Sequence, residues 1–549
     1  MEASNSPSAF RNFPNPTEPI YPKIHLGFTY EDQKSPETNG ADDAMEIAID
    51  RLKNDFQGIL HLQVEGVATQ LTDPSSTTGS SFSFSLLSVT DENSTGNYRG
   101  PTKKDVSDLR SIALKMNEKG RLDKLINVYV RERKCFFNAH FLKLWDEKKS
   151  RLCEIQRLER SVLEAKITRW IRAVHYCVRD IFPLEKQLSN HVFKSLGSNA
   201  TGESCFIAVV RDSVTDLLDF ADALSSCRPS PERLPKILVL YRKLSSLSPD
   251  INSVFESDAA RAICARADCI LSRLGGKFVR LSLLDFENTL LRELCNYTIP
   301  GGAIHSSTEY VIGYVISLVS ESKETLTELI TFKPSMSVGD LIISDLDVKE
   351  LEGRTPLAAH LLWIIIVLRL NLERKSKCYQ DPLLGNLFML NNVNYIVQQI
   401  RGSAVLTEII GDKYLNKLAE NVQESMTSYI SGAWDAPVYC LRHEGLNVIW
   451  GFTIGSKLSK KVLKDRFKTF NSLFKEIHEI QMMWEVPDLE LRKKLHRCIL
   501  DYLIPPYRDF LGKFRSHIDR GQHPERYVMY SAEELENKVS GLFSYRSFL

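Results

Sequence analysis

The chain has 549 residues, 43% of them hydrophobic and 25% charged, a length and composition that predict about two to four packing units in an ordinary globular protein. Its 70 basic and 69 acidic residues leave a net charge of +1. A dedicated nucleic-acid binder carries a global excess of Lys and Arg, so this balance argues against that class.

Eleven cysteines are scattered along the chain without a C-x-x-C pair, so we expect buried free thiols in a reducing compartment. The first residues lack the apolar core of a signal peptide, Glu2 stands where N-myristoylation needs glycine, and "RSFL" ends the chain without a prenylation cysteine. These features predict a cytoplasmic protein.

Residues 1–43 contain six prolines and little periodicity, which predicts a disordered N-terminus. The region 44–104 is expected to hold one helix, with apolar residues every three to four positions from Met45, and then a flexible Ser/Thr-rich loop over 73–101. From 105 onwards the helical pattern is almost continuous, and strand signals are poor.

Pro-, Gly- and Ser-containing breaks divide this helical part, and they predict antiparallel bundles stacked in series, an all-α fold. The breaks are expected at 195–204, 225–235, 296–307, 330–340, 411–417, 434–439 and 484–488. The expected units are a first bundle with a long linking helix, a second bundle, a third bundle and a C-terminal helical region with a basic patch, over 105–250, 251–376, 377–500 and 501–549.

The most apolar run, "LLWIIIVL" at 361–368, is preceded by His360 and is too short to span a bilayer. We therefore predict a buried core helix, with His360 as a hydrogen-bonded core residue rather than a catalytic base. No nucleophile elbow, phosphate loop, dinucleotide turn or zinc helix is present, so we expect no enzyme, cofactor or metal site.

"NLFMLNNVNYIVQQI" places Asn391 on the same helical stripe as Phe388 and Tyr395. Such an amide forms either a contact surface or a buried hydrogen bond that fixes the register of the helix, and the second interpretation is favoured. The six tryptophans are expected to be core residues, because none alternates with basic residues in the way that suits stacking on single-stranded nucleic acid.

"KLSKKVLKDRFKTFNSLFKEI", residues 457–477, combines an apolar helical stripe with a basic one. The apolar stripe is Leu463, Phe467, Phe470, Phe474 and Ile477, and the basic stripe is Lys457, Lys461, Lys464 and Lys468. Burial of the phenylalanines would leave the lysines facing outwards, which predicts a structural helix with an electrostatic surface and not one embedded in lipid.

Seven segments in consistent order resemble the Exo70 family, the seventy-kilodalton subunit of the exocyst vesicle-tethering complex, and are most similar to its plant members. "RPSPERLPKILVLYRKL", "GGAIHSSTEYVIGYV" and "YQDPLLGNLFMLNNVNYIVQQI" carry much of the resemblance. The segments are 108–134, 157–188, 228–244, 301–315, 379–400, 484–514 and 523–543.

The resemblance implies an elongated rod of helical bundles and no catalysis. It also implies docking of secretory vesicles at the plasma membrane during exocytosis, with other exocyst subunits as partners, Rho-type small GTPases as further partners, and peripheral binding to membranes that contain phosphatidylinositol 4,5-bisphosphate. No nucleic acid is expected as a partner. The expected location is the cytoplasm, with peripheral recruitment to the plasma membrane or to vesicles.

The resemblance places the lipid-binding residues in the C-terminal region, where the family's final basic pair falls on Arg526 and Met529, so that one charge of the pair is lost. The predicted lipid-binding residues are Lys513, Arg515, Arg520, Arg526, Lys460, Lys461, Lys464 and Lys468. The opening residues are Pro-rich where the family has a coiled coil. This departure leaves open a divergent adaptor that acts outside the complete exocyst, in defence or autophagy-related membrane traffic.

Overall fold

The fold is known from a computed structural model, and the residues it describes are 41–65, 101–145, 152–196, 201–292, 298–334, 349–444, 446–449, 456–519 and 523–544. The predicted disordered N-terminus and the Ser/Thr-rich loop lie almost wholly outside these residues. The predicted N-terminal helix is present and begins at Ala41.

Eleven α-helices occupy the described part of the chain before residue 335. They are α1 (Ala41–Glu65), α2 (Lys103–Glu118), α3 (Leu122–Leu144), α4 (Leu152–Arg157), α5 (Arg160–Tyr176), α6 (Phe182–Val192), α7 (Thr201–Ser226), α8 (Leu234–Val254), α9 (Arg261–Ser272), α10 (Val279–Leu291) and α11 (Ser306–Leu329). Short π-helical segments, Cys177–Ile181 and Arg273–Phe278, connect α5 to α6 and α9 to α10.

Seven further helices and one pair of short strands follow in the described residues from 349 to 544. They are α12 (Pro356–Ser376), α13 (Pro382–Arg401), α14 (Ala404–Ile410), α15 (Asp412–Cys440), β1 (Asn447–Ile449), β2 (Ser456–Leu458), α16 (Lys460–Gln481), α17 (Leu489–Asp519) and α18 (Ala532–Ser540). The strands are antiparallel, with Asn447 opposite Leu458. The sequence did not predict this pair, since each strand has only three residues and is too short to show alternation.

Local sequence signals account for many helix ends. Thr102 and Asp105 form a capping box at the start of α2, and Ser531 and Glu534 form another at the start of α18. Gly411, with φ of +84°, separates α14 from α15, because a left-handed residue ends a helix and glycine adopts that conformation without steric cost.

The helices pack mainly in chain order, as the predicted stacking in series requires. Helices α1 to α7 contact one another, α8 contacts α5 and α11, and α13 contacts α11, α12 and α15. Two hydrophobic clusters result, one reaching from Ile49 to Leu418 and the other from Leu387 to Phe543. Helix α13 contributes to both, with Phe388 in the first cluster and Leu387 in the second.

The break predicted at 434–439 is wrong, because α15 continues through it to Cys440 with Pro437 inside. A proline within a helix costs about 3 kcal/mol through its missing N–H and its steric clash. Trp434 is fully buried at this position. Burial of an indole contributes a favourable free energy of similar size and offsets that cost.

Four of the five predicted domain boundaries fall within helices, and those at 43/44 and 104/105 lie in the first turns of α1 and α2. Helix α8 continues through 250/251 and α17 continues through 500/501, whereas 376/377 coincides with the end of α12. The division into separate bundles therefore stays a proposal, and the two hydrophobic clusters are the units that packing defines.

Helix α12 confirms the prediction of a buried core helix. It is the one helix among the described residues that is long and apolar enough to span a bilayer, and 83% of its most apolar window is buried within the protein. The His360 imidazole is buried, with Nδ1 2.6 Å from Glu287 Oε1 and Nε2 3.1 Å from the Phe332 carbonyl oxygen. Both ring nitrogens thus have partners, as expected of a core histidine.

Candidate functional site: a cationic face on the C-terminal helices

Helix α16 presents lysines to solvent because its opposite side is buried. Ser459 caps the helix by accepting a hydrogen bond from the Val462 N–H, so Lys457 precedes the helix and lies in β2. The prediction that Lys457 belongs to the basic stripe of this helix is therefore wrong. The predicted apolar stripe is buried through Leu463, Phe467, Phe470 and Phe474, and Ile477 is half-buried.

Four lysines lie on the outer side of α16. At 3.6 residues per turn, Lys460, Lys461, Lys464 and Lys468 fall within an arc of about 100°. Lys464 is half-buried and the other three are exposed. Among the described residues, none of the four forms an ion pair with a carboxylate, so their charges are available to an external anion.

The segment after α17 folds back onto these lysines. The Tyr527 ring centroid lies 4.8 Å from Lys464 Nζ and 5.4 Å from Lys468 Nζ, and the Asn471 amide donates to the Tyr527 carbonyl oxygen at 2.7 Å. Arg526 precedes this tyrosine and is exposed. We call Lys460, Lys461, Lys464, Lys468 and Arg526 the cationic face.

Lys513 and Arg515, also predicted to bind lipid, are compensated by acidic residues of their own helix. Lys513 Nζ lies 2.9 Å from Asp509 Oδ1, and Arg515 Nε lies 3.5 Å from Asp519 Oδ2. Hydrogen bonds from Lys513 and then His443 hold the pKa of Asp509 below its usual range. These two cations therefore add little net charge to the surface.

The structure also separates Lys513 from the cationic face. Arg466 of α16 donates to the carbonyl oxygens of Arg442 and Glu444. His443 lies between these two residues in the chain, and its Nε2 is 3.5 Å from Lys513 Nζ. Lys513 is therefore on the same side of α16 as Arg466. Positions 464 and 466 of a helix differ by about 200° in direction, so Lys513 lies on the far side of α16 from Tyr527.

The remaining predicted residue, Arg520, lies outside the described residues. Met529, which stands where the family has a basic residue, is 52% exposed. The sequence did not identify Tyr527 and Asn471, which hold the segment that contains Arg526 against α16. Their contacts join positions 56 residues apart, and a periodicity along one helix carries no signal of such a contact.

A second feature links the segments that carry the family resemblance. Asn391 is buried, and its amide donates to the carbonyl oxygens of Gly302 and Glu485, each at 2.8 Å. The Glu485 N–H in turn donates to the Gly301 carbonyl oxygen at 2.8 Å. The prediction that Asn391 is a buried, hydrogen-bonded amide is confirmed, and its role in fixing the register of the helix stays a prediction.

The neighbouring Asn392 completes this junction. Its Oδ1 accepts from the His305 N–H at 2.9 Å and from the Thr308 hydroxyl at 2.6 Å.

The five tryptophans in the described residues are also buried, as expected, and Trp450 lies outside them. Within the described ranges no three His, Cys, Asp or Glu side chains are grouped as a metal site.

Comparison with known proteins places the chain in a family. The family model for the C-terminal part of the Exo70 component of the exocyst complex matches residues 168–541, more than half of the chain. The chain belongs to the Exo70 family. It is similar to "Exocyst complex component EXO70A1" of Arabidopsis thaliana, with 31% identity over 443 residues, and to EXO70B1 of the same plant, with 30% identity over 438 residues.

Each match covers 80% of this chain and 66% of the Arabidopsis protein, so the chain spans slightly less than two thirds of these relatives. Two solved structures, of exocyst subunit Exo70p and of S. cerevisiae Exo70, each have 14% sequence identity to this Exo70 chain, with TM-scores of 0.45 and 0.43. They align over 91% and 93% of this chain and over 87% and 90% of their own.

Proposed function

We propose that this Exo70 chain is an exocyst-type tethering subunit that binds anionic membranes through the cationic face. The observation that supports it most is the set of four α16 lysines, which have no carboxylate partners in the described residues. The Tyr527 contact holds the segment that contains Arg526 against this helix. Five cations on one face match a surface of phosphorylated inositol headgroups.

The expected strength is that of reversible, peripheral binding. Each Lys or Arg near an anionic leaflet contributes about 1 kcal/mol, so the cationic face supplies about 5 kcal/mol. Lys513 and Arg515 contribute less, since their own acidic partners compete with the lipid phosphates. This assignment moves the main lipid contact from α17 to α16 and the Arg526 segment.

Vesicle flotation tests the assignment. Lys464→Gln with Lys468→Gln removes two of the five charges, which should weaken binding to vesicles containing phosphatidylinositol 4,5-bisphosphate by about 2 kcal/mol, or roughly thirtyfold. The matched control is Lys494→Gln with Arg497→Gln, which removes two exposed charges of α17 that likewise have no carboxylate partner in the described residues.

The control should float like the unmodified chain, and Lys513→Gln with Arg515→Gln should change binding by less than about threefold. Equal losses in all three double variants would show that net charge, and no particular face, governs binding. A larger loss on removing Lys513 and Arg515 would reject the choice of α16.

Membership of the exocyst and recruitment from the cytoplasm to the plasma membrane or to vesicles are part of the same proposal, and the family membership supports them. Purification of the endogenous protein should bring other exocyst subunits with it in stoichiometric amount. Recovery without those subunits would favour the adaptor that acts outside the complete exocyst. Rho-type GTPases are a further proposed class of partner, tested by the same purification with a GTP analogue present.

A further inference from the structure

A cavity of about 260 Å³ opens between α2 and α6, in the N-terminal part of the helical stack. Its lining includes Lys103, Val106, Ser107 and Arg110 from α2 and Leu188 and His191 from α6. Lys103 and Arg110 are seven residues apart, two turns along the same side of the helix.

Every ionisable side chain in the lining is basic, namely Lys103, Arg110 and His191. Arg110 is half-buried, and none of the three forms an ion pair with a carboxylate in the described part of the chain. His191 Nδ1 lies 2.7 Å from the Gln187 carbonyl oxygen, so it donates there and leaves Nε2 as the nitrogen that can contact a ligand.

The adjacent groove between α6 and α8 shows that cations on this surface ordinarily have partners. There Arg179 Nε lies 2.9 Å from Asp250 Oδ2, and Lys186 Nζ lies 2.8 Å from Glu256 Oε1. Partial burial of a guanidinium without such a partner is unfavourable, and an external carboxylate or phosphate would remove that cost.

The apolar part of the lining narrows the class of ligand. Val106 is half-buried and Leu188 is buried, so one wall is hydrocarbon beside the basic side chains. The volume lies below the range of about 300–1,000 Å³ typical of sites for whole small molecules, and it suits one or two side chains. An inositol headgroup offers nothing apolar to this wall.

We propose that this cavity binds an acidic peptide segment of a protein partner, with a carboxylate on Arg110 and Lys103 and an apolar side chain against Val106 and Leu188. The site goes beyond membrane binding, since it lies on α2 and α6 and shares no residue with the cationic face. A failure of lipid binding would therefore not contradict the proposed peptide site.

The probe is a fluorescein-labelled peptide, acetyl-Glu-Asp-Glu-Leu-Phe-Glu-Asp-Glu-amide, titrated with the full chain by fluorescence anisotropy at physiological salt. Arg110→Glu should weaken binding by at least about thirtyfold, because it sets a like charge against the peptide. Ser107→Trp fills the cavity without changing its charge and should also weaken binding at least about tenfold. Lys104→Glu reverses an exposed charge on the same helix outside the lining and should change binding less than about threefold.

Loss of binding in both cavity variants with an intact control supports the site, provided that circular dichroism shows native helix content. No binding by the unmodified chain, equal weakening by Lys104→Glu, or unchanged binding by Ser107→Trp would overturn it. Reduced flotation of Arg110→Glu with phosphoinositide vesicles, without any change in peptide binding, would assign the cavity to a membrane and reject the peptide.

Discussion

A buried ion pair between α3 and α6 offers a sharp test of what holds the N-terminal helices together. Arg133 donates to Glu185 Oε2 from Nε at 3.0 Å and from its terminal nitrogen at 2.6 Å, and the Tyr129 hydroxyl donates to Glu185 Oε1 at 2.7 Å. Arg133 is 4% exposed and Glu185 1%. Glu185→Gln keeps the volume of the side chain and removes its negative charge from the buried guanidinium.

Removal of one partner from a buried ion pair costs about 3–5 kcal/mol in free energy of unfolding. At 1.36 kcal/mol per factor of ten, amide hydrogen exchange in α3 and α6 should accelerate roughly 100- to 5,000-fold. Exchange measured by mass spectrometry suits a chain of this size, because it reports each helix separately and does not require two-state unfolding.

A matched variant separates the charge from the packing. Arg133→Met, Glu185→Leu and Tyr129→Phe together replace the polar group with apolar side chains, and such replacements of buried ion pairs are often neutral or stabilising. Exchange in the triple variant should therefore stay within about tenfold of the unmodified chain. Acceleration of less than tenfold in Glu185→Gln, or equal damage in the triple variant, would refute the reasoning.

Three further predictions concern single sites. Burial raises the pKa of Cys205 to about 12, so iodoacetamide at pH 8 should alkylate exposed Cys269 and leave Cys205 unmodified until the protein is denatured, as peptide mass spectrometry would show. Gly385→Ala should lower the unfolding temperature, because its Cβ would lie 2.5 Å from the Ser376 carbonyl oxygen and would force α12 and α13 apart at a cost of about 1–3 kcal/mol. Burial lowers the pKa of His496 below its unfolded value, so the folded state loses stability as the pH falls from 7 to 5, and His496→Gln should reduce that loss in urea titrations at the two pH values.

The sequence predicted the features that depend on periodicity and on local breaks. The helical class, the buried helix around 361–368 and the buried side of α16 were correct, because apolar spacing along one helix determines each of them. The prediction of buried free thiols was correct only in part. Cys177, Cys205 and Cys227 are buried, but Cys135, Cys269 and Cys378 are exposed, and the spacing of cysteines carries no information about which side of a helix they occupy.

The sequence identified which basic residues belong to the candidate site, but it did not show which of them lie together on one surface. The lysines of α16 could be identified from their spacing, but the packing of the Arg526 segment against that helix depends on the Tyr527 contact, which joins distant positions. Lys513 and Arg515 looked equivalent to the lysines until the structure placed Asp509 and Asp519 against them. Local charge counts include such acids but do not show which cation each one neutralises.

Helix α13 has a mechanical consequence, since it belongs to both hydrophobic clusters. Leu387 and Leu390 are anchored in one core, while Phe388 and Ile396 are anchored in the other. Helix α15 also belongs to both, with Leu418 in the first cluster and Met426 in the second. Bending the molecule between the two cores therefore requires both helices to bend or to slide out of one core. A displacement of one core is therefore passed to the other through the backbones of two helices, α13 and α15.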